Sequence, residues 1–73
     1  MFANGITHNK DRSLFYIGDT FEKTIYIFRR NTTTNALTIV HIQDVNHGVD
    51  NLKFDNEENK VYIGVFHSLY HQL

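Results

Sequence analysis

Two oxygen-bearing side chains recur at one spacing in this sequence. Asn4, within Phe2-Ala3-Asn4-Gly5-Ile6, has its counterpart 46 positions on in Asp50, within Gly48-Val49-Asp50-Asn51-Leu52. The two stretches align without a gap: Ile6 falls on Leu52, Asn9 on Asp55, and Tyr16-Ile17-Gly18 on Tyr62-Ile63-Gly64. A strand-rich repeat of about 40–50 residues predicts blades arranged radially about an axis. Equivalent positions in such an array point at that axis, so Asn4 and Asp50 converge there, and a pair of converging oxygens suits a cation. The plainer role for both is turn formation ahead of a strand, because Asn and Asp bond their own backbone. On the repeat alone that plainer role is the commoner one.

The elements that must hold these side chains are short strands. Asn4 to Thr7 reads as a first strand, followed by an Asn9-Lys10-Asp11-Arg12 turn. Ser13 to Gly18 is a second strand, rich in aromatic and branched residues. Thr24 to Phe28 is a third and nearly all apolar, which predicts cover on both faces. Leu37 to Ile42 is a fourth, with Leu37, Ile39 and His41 expected on one side and Thr38, Val40 and Ile42 on the other. Asn51 to Phe54 and Lys60 to Val65 repeat the first two strands, and Phe66 to Leu73 is an apolar, histidine-rich tail. The expected fold is all-β: an antiparallel meander of about one and a half propeller blades. Residues 1–48 form one blade, 49–65 half of the next, and 66–73 a tail. Radial repetition protects strand edges only in a closed ring. Long edges such as Ile25 to Phe28 are therefore expected to stay open and to promote self-association.

Composition narrows the functions. A chain of 73 residues makes at most one small domain and buries only about 60% of its unfolded surface. It has no cysteine, hence no disulfide. Apolar residues at 41% and aromatics at 14% mark a globular chain. A net charge of −1, with Arg29-Arg30 the longest basic run, argues against nucleic acid as a partner. No apolar run is long enough to span a bilayer, and no signal-peptide pattern opens the chain. The five histidines show no metal-binding spacing, and Asp55 to Glu58 reads as a solvated turn. Asn31-Thr32-Thr33 is a glycosylation sequon in a polar loop.

Several stretches together resemble the paraoxonase family of serum arylesterases and lactonases. They are Phe2-Ala3-Asn4-Gly5-Ile6, Leu14-Phe15-Tyr16-Ile17-Gly18, Lys23-Thr24-Ile25-Tyr26-Ile27-Phe28 and Val49-Asp50-Asn51-Leu52-Lys53-Phe54-Asp55. The resemblance covers most of the chain. It implies a six-bladed propeller with calcium in the central tunnel and hydrolysis of aryl esters and lactones. By position it implies Asn4, Asp50 and Asn51 as side-chain ligands of the catalytic calcium, and Phe2 as a wall of the substrate pocket. The family's other ligands and its water-activating histidine pair lie upstream of Phe2, and none of His8, His41, His47, His67 or His71 matches that pair. The closing stretch, Gly64 to Leu73, looks like the family's extreme C-terminus, which implies an internal deletion joined near Gly64. His71 stands where the family has a cysteine, so the disulfide tying the family's two ends is absent. The resemblance also implies a secreted or membrane-associated parent protein. Two functions are expected in consequence: a fragment of a calcium-dependent arylesterase or lactonase, inactive in isolation, or a non-catalytic β-repeat module that binds a partner through exposed strand edges.

Overall fold

A computed structural model describes residues 3–46, 48–65 and 70–72. It holds seven strands: β1 (Ala3–His8), β2 (Leu14–Asp19), β3 (Thr24–Arg30), β4 (Leu37–Asp44), β5 (Val49–Asp55), β6 (Lys60–Val65) and β7 (Tyr70–Gln72), with no helix among the described residues. They form two antiparallel meanders, β1-β2-β3-β4 and β5-β6-β7. The expected all-β, blade-like architecture is what the chain adopts.

Turn chemistry explains the meander. Asp19, Asn31 and Asp55 each open a hairpin turn, with the side-chain oxygen accepting from backbone amides two or three residues on: Glu22 N–H at 2.9 Å, Thr33 N–H at 2.9 Å and Glu57 N–H at 2.9 Å. Four residues after each of these comes a residue at positive φ, namely Lys23 at 55°, Asn35 at 64° and Asn59 at 57°. Two of the three are asparagine, which tolerates this region better than most residues. Arg30 ties two turns together: Nε donates to the Arg12 carbonyl and Nη1 to Asn35 Oδ1, both at 2.8 Å.

The sheets stack face to face, and the core lies between them. It comprises Tyr16 and Ile25 from the first sheet and Val49, Leu52, Val61 and Ile63 from the second, with Leu14, Ile27, Val45 and Phe54 packed around it. Tyr16 stacks on Phe54 with centroids 6.2 Å apart. Thr7 Oγ1 accepts from the Phe54 amide at 3.2 Å, which fixes β1 against β5.

Three expectations need correction. The segment Ile25 to Phe28 is no open edge: β3 lies between β2 and β4 and is paired on both sides. Cover on both its faces is not seen either, since only one face of the first sheet meets the second. In β4 the pairing jumps from Ile27↔His41 to Phe28↔Ile39, so Val40 is an extra, bulged residue. A bulge inverts the alternation beyond it. Leu37, Ile39 and Ile42 therefore share a face, where strict alternation would have separated Ile42 from the other two. At the C-terminal end, Tyr70–Gln72 pairs with β6 as a third strand.

Candidate metal centre at the strand starts

Asn4 and Asp50 occupy the same unusual backbone feature. In β1 the pairs are Ala3↔Asp19 and Gly5↔Gly18, so Asn4 has no partner across the ladder. In β5 the pairs are Val49↔Val65 and Asn51↔Gly64, so Asp50 has none. Each is the extra residue of a β-bulge, and bulges bend a strand and re-aim a side chain. The second bulge also explains the packing. Val49 and Leu52 are both buried, at 0% and 9% exposure, although strict alternation would send residues three apart to opposite faces. The extra residue brings both into the core and leaves Asp50 and Asn51 exposed between them.

The two strand starts touch. Asn4 Nδ2 donates to the Val49 carbonyl at 3.2 Å, and Thr20 Oγ1 donates to the same oxygen at 3.0 Å. The Asn4 amide nitrogen is thereby turned toward β5, which leaves its side-chain oxygen as the acceptor. Close approach needs glycine here: a Cβ on Gly5 would sit 3.2 Å from Asn51 Cα, and one on Gly18 would sit 2.4 Å from Val49 Cγ1. Gly64 does the same for Asn51, whose Oδ1 lies 2.6 Å from where a Cβ would be. Thus Asn51 lies flat across its neighbouring strand, while Asp50 stands free of the ladder.

The donor set is two carboxamides and one carboxylate, all offering oxygen, which suits a hard cation such as calcium. No group of three or more His, Asp or Glu capable of holding a metal occurs among the described residues, so the set carries little negative charge. Acidic residues at the other end of the strands are already committed to turns. Asp55 Oδ1 accepts from Glu57 and Glu58. Asp11 Oδ1 accepts from the Ser13 amide and hydroxyl, and these bonds hold its carboxyl below the usual range. Two open clefts lie at that end, one lined by Asn9, Lys10, Asp11 and Asn59 and one by residues 53–57. They follow the hairpin tips and do not include Asn4, Asp50 or Asn51. We place the candidate centre at the strand starts because the bulges, the bridging bonds and the exposed oxygens coincide there.

Other expected residues are less informative. Phe2 lies outside the described residues, as do His47 and His67. His8 is exposed, bonds the Asn9 carbonyl at 2.7 Å and sits 5.6 Å from the Phe15 ring. His41 is exposed and lies 3.3 Å from Gln43 Oε1. Asn31 is exposed, its oxygen accepting from Thr33 and Thr34. Sequence reading missed the bulges and the buried Asp19, which is 1% exposed. The three-residue gap between Val49 and Leu52, with Phe54 two further on, was the signal for the second bulge.

The arylesterase family model matches residues 1–72. The chain belongs to the arylesterase family, as the resemblance to paraoxonases implied, and family membership assigns it to a class of ester hydrolases. Comparison with curated proteins and with solved structures returns no match.

Proposed function

We propose that this chain carries part of the calcium centre of an esterase acting on carboxylic (aryl) esters and lactones, and that it has no turnover of its own. Asn4, Asp50 and Asn51 would hold the ion through their side-chain oxygens. The observation that carries this reading is the pair of equivalent bulges, which set Asn4 and Asp50 free at adjoining strand starts. When bound there, calcium supplies a Lewis acid for the ester carbonyl and for the developing oxyanion. The chain's own contribution is positional: the Asn4 bond to the Val49 carbonyl holds together the two strand starts, from separate sheets, that carry the proposed donors.

Three side-chain oxygens fall short of the six to eight that calcium takes. Among the described residues the two histidines with placed side chains are engaged elsewhere, His8 with the Asn9 carbonyl and His41 with Gln43 Oε1, so neither serves as a water-activating base in this reading. The test is hydrolysis of phenyl acetate at millimolar calcium, compared with Asp50→Ala. No turnover by either protein is expected; calcium-dependent turnover abolished by Asp50→Ala would contradict the inactivity.

A non-catalytic binding module is the second reading. It is favoured by β4, an edge strand with Leu37, Ile39, Val40 and Ile42 all exposed. Capture of a β-strand peptide along β4, read as slowed exchange of its amides, would support it.

A further inference from the structure

The Asp50 carboxylate has only its backbone to aim it. Asp50 has no partner across the ladder. Its side chain is exposed and makes no hydrogen bond among the described residues. The direction of such a side chain follows from the peptide planes on either side of its Cα, because φ and ψ are the soft dihedrals of the chain. For a paired residue the ladder fixes those planes. At the bulged Asp50 another group must do so.

The plane before Asp50 is the Val49–Asp50 peptide. Its oxygen is the one on which Asn4 Nδ2 and Thr20 Oγ1 meet, at 3.2 and 3.0 Å. Asn4 serves two ends there, its nitrogen on the carbonyl and its oxygen toward the proposed ion. Thr20 serves only the first. It stands half-buried in the β2–β3 turn, directly after Asp19. That turn is braced. Asp19 is 1% exposed, pairs with both Ala3 and Thr24, and accepts from the Glu22 amide through Oδ1. Thr24 Oγ1 donates to the Glu22 carbonyl at 2.8 Å, and the Lys23 carbonyl accepts from the Val45 amide at 2.8 Å. Threonine is also stiff at χ1, so its hydroxyl is held in place by its own branching. A carbonyl oxygen offers two lone pairs. One bond leaves the peptide plane free to rock about that contact, whereas two bonds from different elements hold it.

We propose that Thr20 is a positioning residue of the candidate calcium centre: its hydroxyl, together with Asn4, fixes the Val49–Asp50 peptide and so aims the Asp50 carboxylate. This rests on the reading of Asn4, Asp50 and Asn51 as calcium ligands. It adds a residue that neither the repeat nor the ligand chemistry singles out.

The test compares Thr20→Val, which keeps the branched shape and removes the hydroxyl, with Thr20→Ser, which keeps the hydroxyl. Two readouts are taken on each. Without metal, NMR gives the Val49 carbonyl-carbon shift and the residual dipolar coupling of the Asp50 N–H. With calcium alone, an amide titration gives the affinity. Thr20→Val is expected to move both metal-free signals while those of Leu52 and Ile63 stay in place. It should weaken calcium binding about tenfold, the low end for loss of a group that orients a ligand. Thr20→Ser should restore both. Should Thr20→Val unfold, Thr20→Ala against Thr20→Ser decides the matter. A purely structural Thr20 would lower the melting temperature and leave the Asp50 coupling and the calcium affinity as they are, which would overturn the proposal. So would a displaced Asp50 with undiminished affinity. A wild type without calcium shifts at residues 4, 50 and 51 would remove the calcium reading instead. The metal-free coupling would then still decide whether Thr20 aims Asp50: moved in Thr20→Val, it does; unmoved, it does not.

Discussion

The starts of β1 and β5 share a bulge and differ in the residue next to it. After Asn4 comes Gly5, and β1 lies close against the β5 backbone. After Asp50 comes Asn51, on the face of β5 turned away from the first sheet and exposed. The glycines across the ladder differ in the same way, Gly18 making room for the buried Val49 and Gly64 for the exposed Asn51. A strand start pressed between sheets must be bare beyond its bulge, whereas one at an open face can carry a second polar donor. That is why one start offers one oxygen-bearing side chain and the other offers two.

The largest effect that would sharpen this comparison lies in the core. Ile63 and Ile17 are repeat equivalents, but Ile63 is 1% exposed between the sheets and Ile17 lies half-buried on the open face. Ile63→Ala should cost about 2–5 kcal/mol. Ile17→Ala should cost no more than about half as much, because less apolar surface is removed from cover. Equal losses in denaturant melts of dilute protein would mean that both faces are covered in the monomer.

Next in size are the two glycines. Gly18→Ala drives a methyl into Val49, which has nowhere to go, and overpacking of this kind costs about 1–3 kcal/mol. Gly64→Ala meets only the exposed Asn51 side chain, which can swing away, so the melting temperature should barely move while Asn51 is displaced. Matching drops in melting temperature would show that Asn51 is as tightly held as Val49.

A smaller effect concerns pH. Burial raises the Tyr16 phenol above 10.0. A raised folded-state value favours the protonated form, so this stability is fully present below about pH 10 and is lost as pH climbs through the folded value. Tyr16→Phe keeps the stack on Phe54 and should shift the alkaline unfolding midpoint upward. An unchanged midpoint would assign alkaline unfolding to other groups.

Much of the fold was legible because turn chemistry is local. Asp19, Asn31 and Asp55 announce hairpins wherever they stand, and the 46-residue period was visible in Tyr-Ile-Gly alone. The pairing of β3 on both sides and the shared face of Leu37, Ile39 and Ile42 were not legible. They depend on which strand lies beside which, and on a one-residue bulge that reverses alternation without altering composition. At the candidate centre, the repeat pointed to Asn4 and Asp50 and the family resemblance added Asn51. The residues did not disclose the close approach of the two strand starts, since Asn4 meets the Val49 carbonyl only through tertiary packing.

Asn4, Asp50 and Asn51 are the proposed calcium-binding part of this chain. The most direct measurement is an amide NMR titration with calcium to tens of millimolar, on the wild type and on Asp50→Ala. Shifts centred on residues 4, 50 and 51 are expected, with a dissociation constant weaker than about 1 mM, because an incomplete shell with one carboxylate binds less well than complete extracellular calcium modules. Asp50→Ala should abolish them and change stability by no more than about 0.5 kcal/mol, as is usual at an exposed site. Shifts centred instead on the acidic turn at Asp55, Glu57 and Glu58, unaffected by Asp50→Ala, would contradict the account.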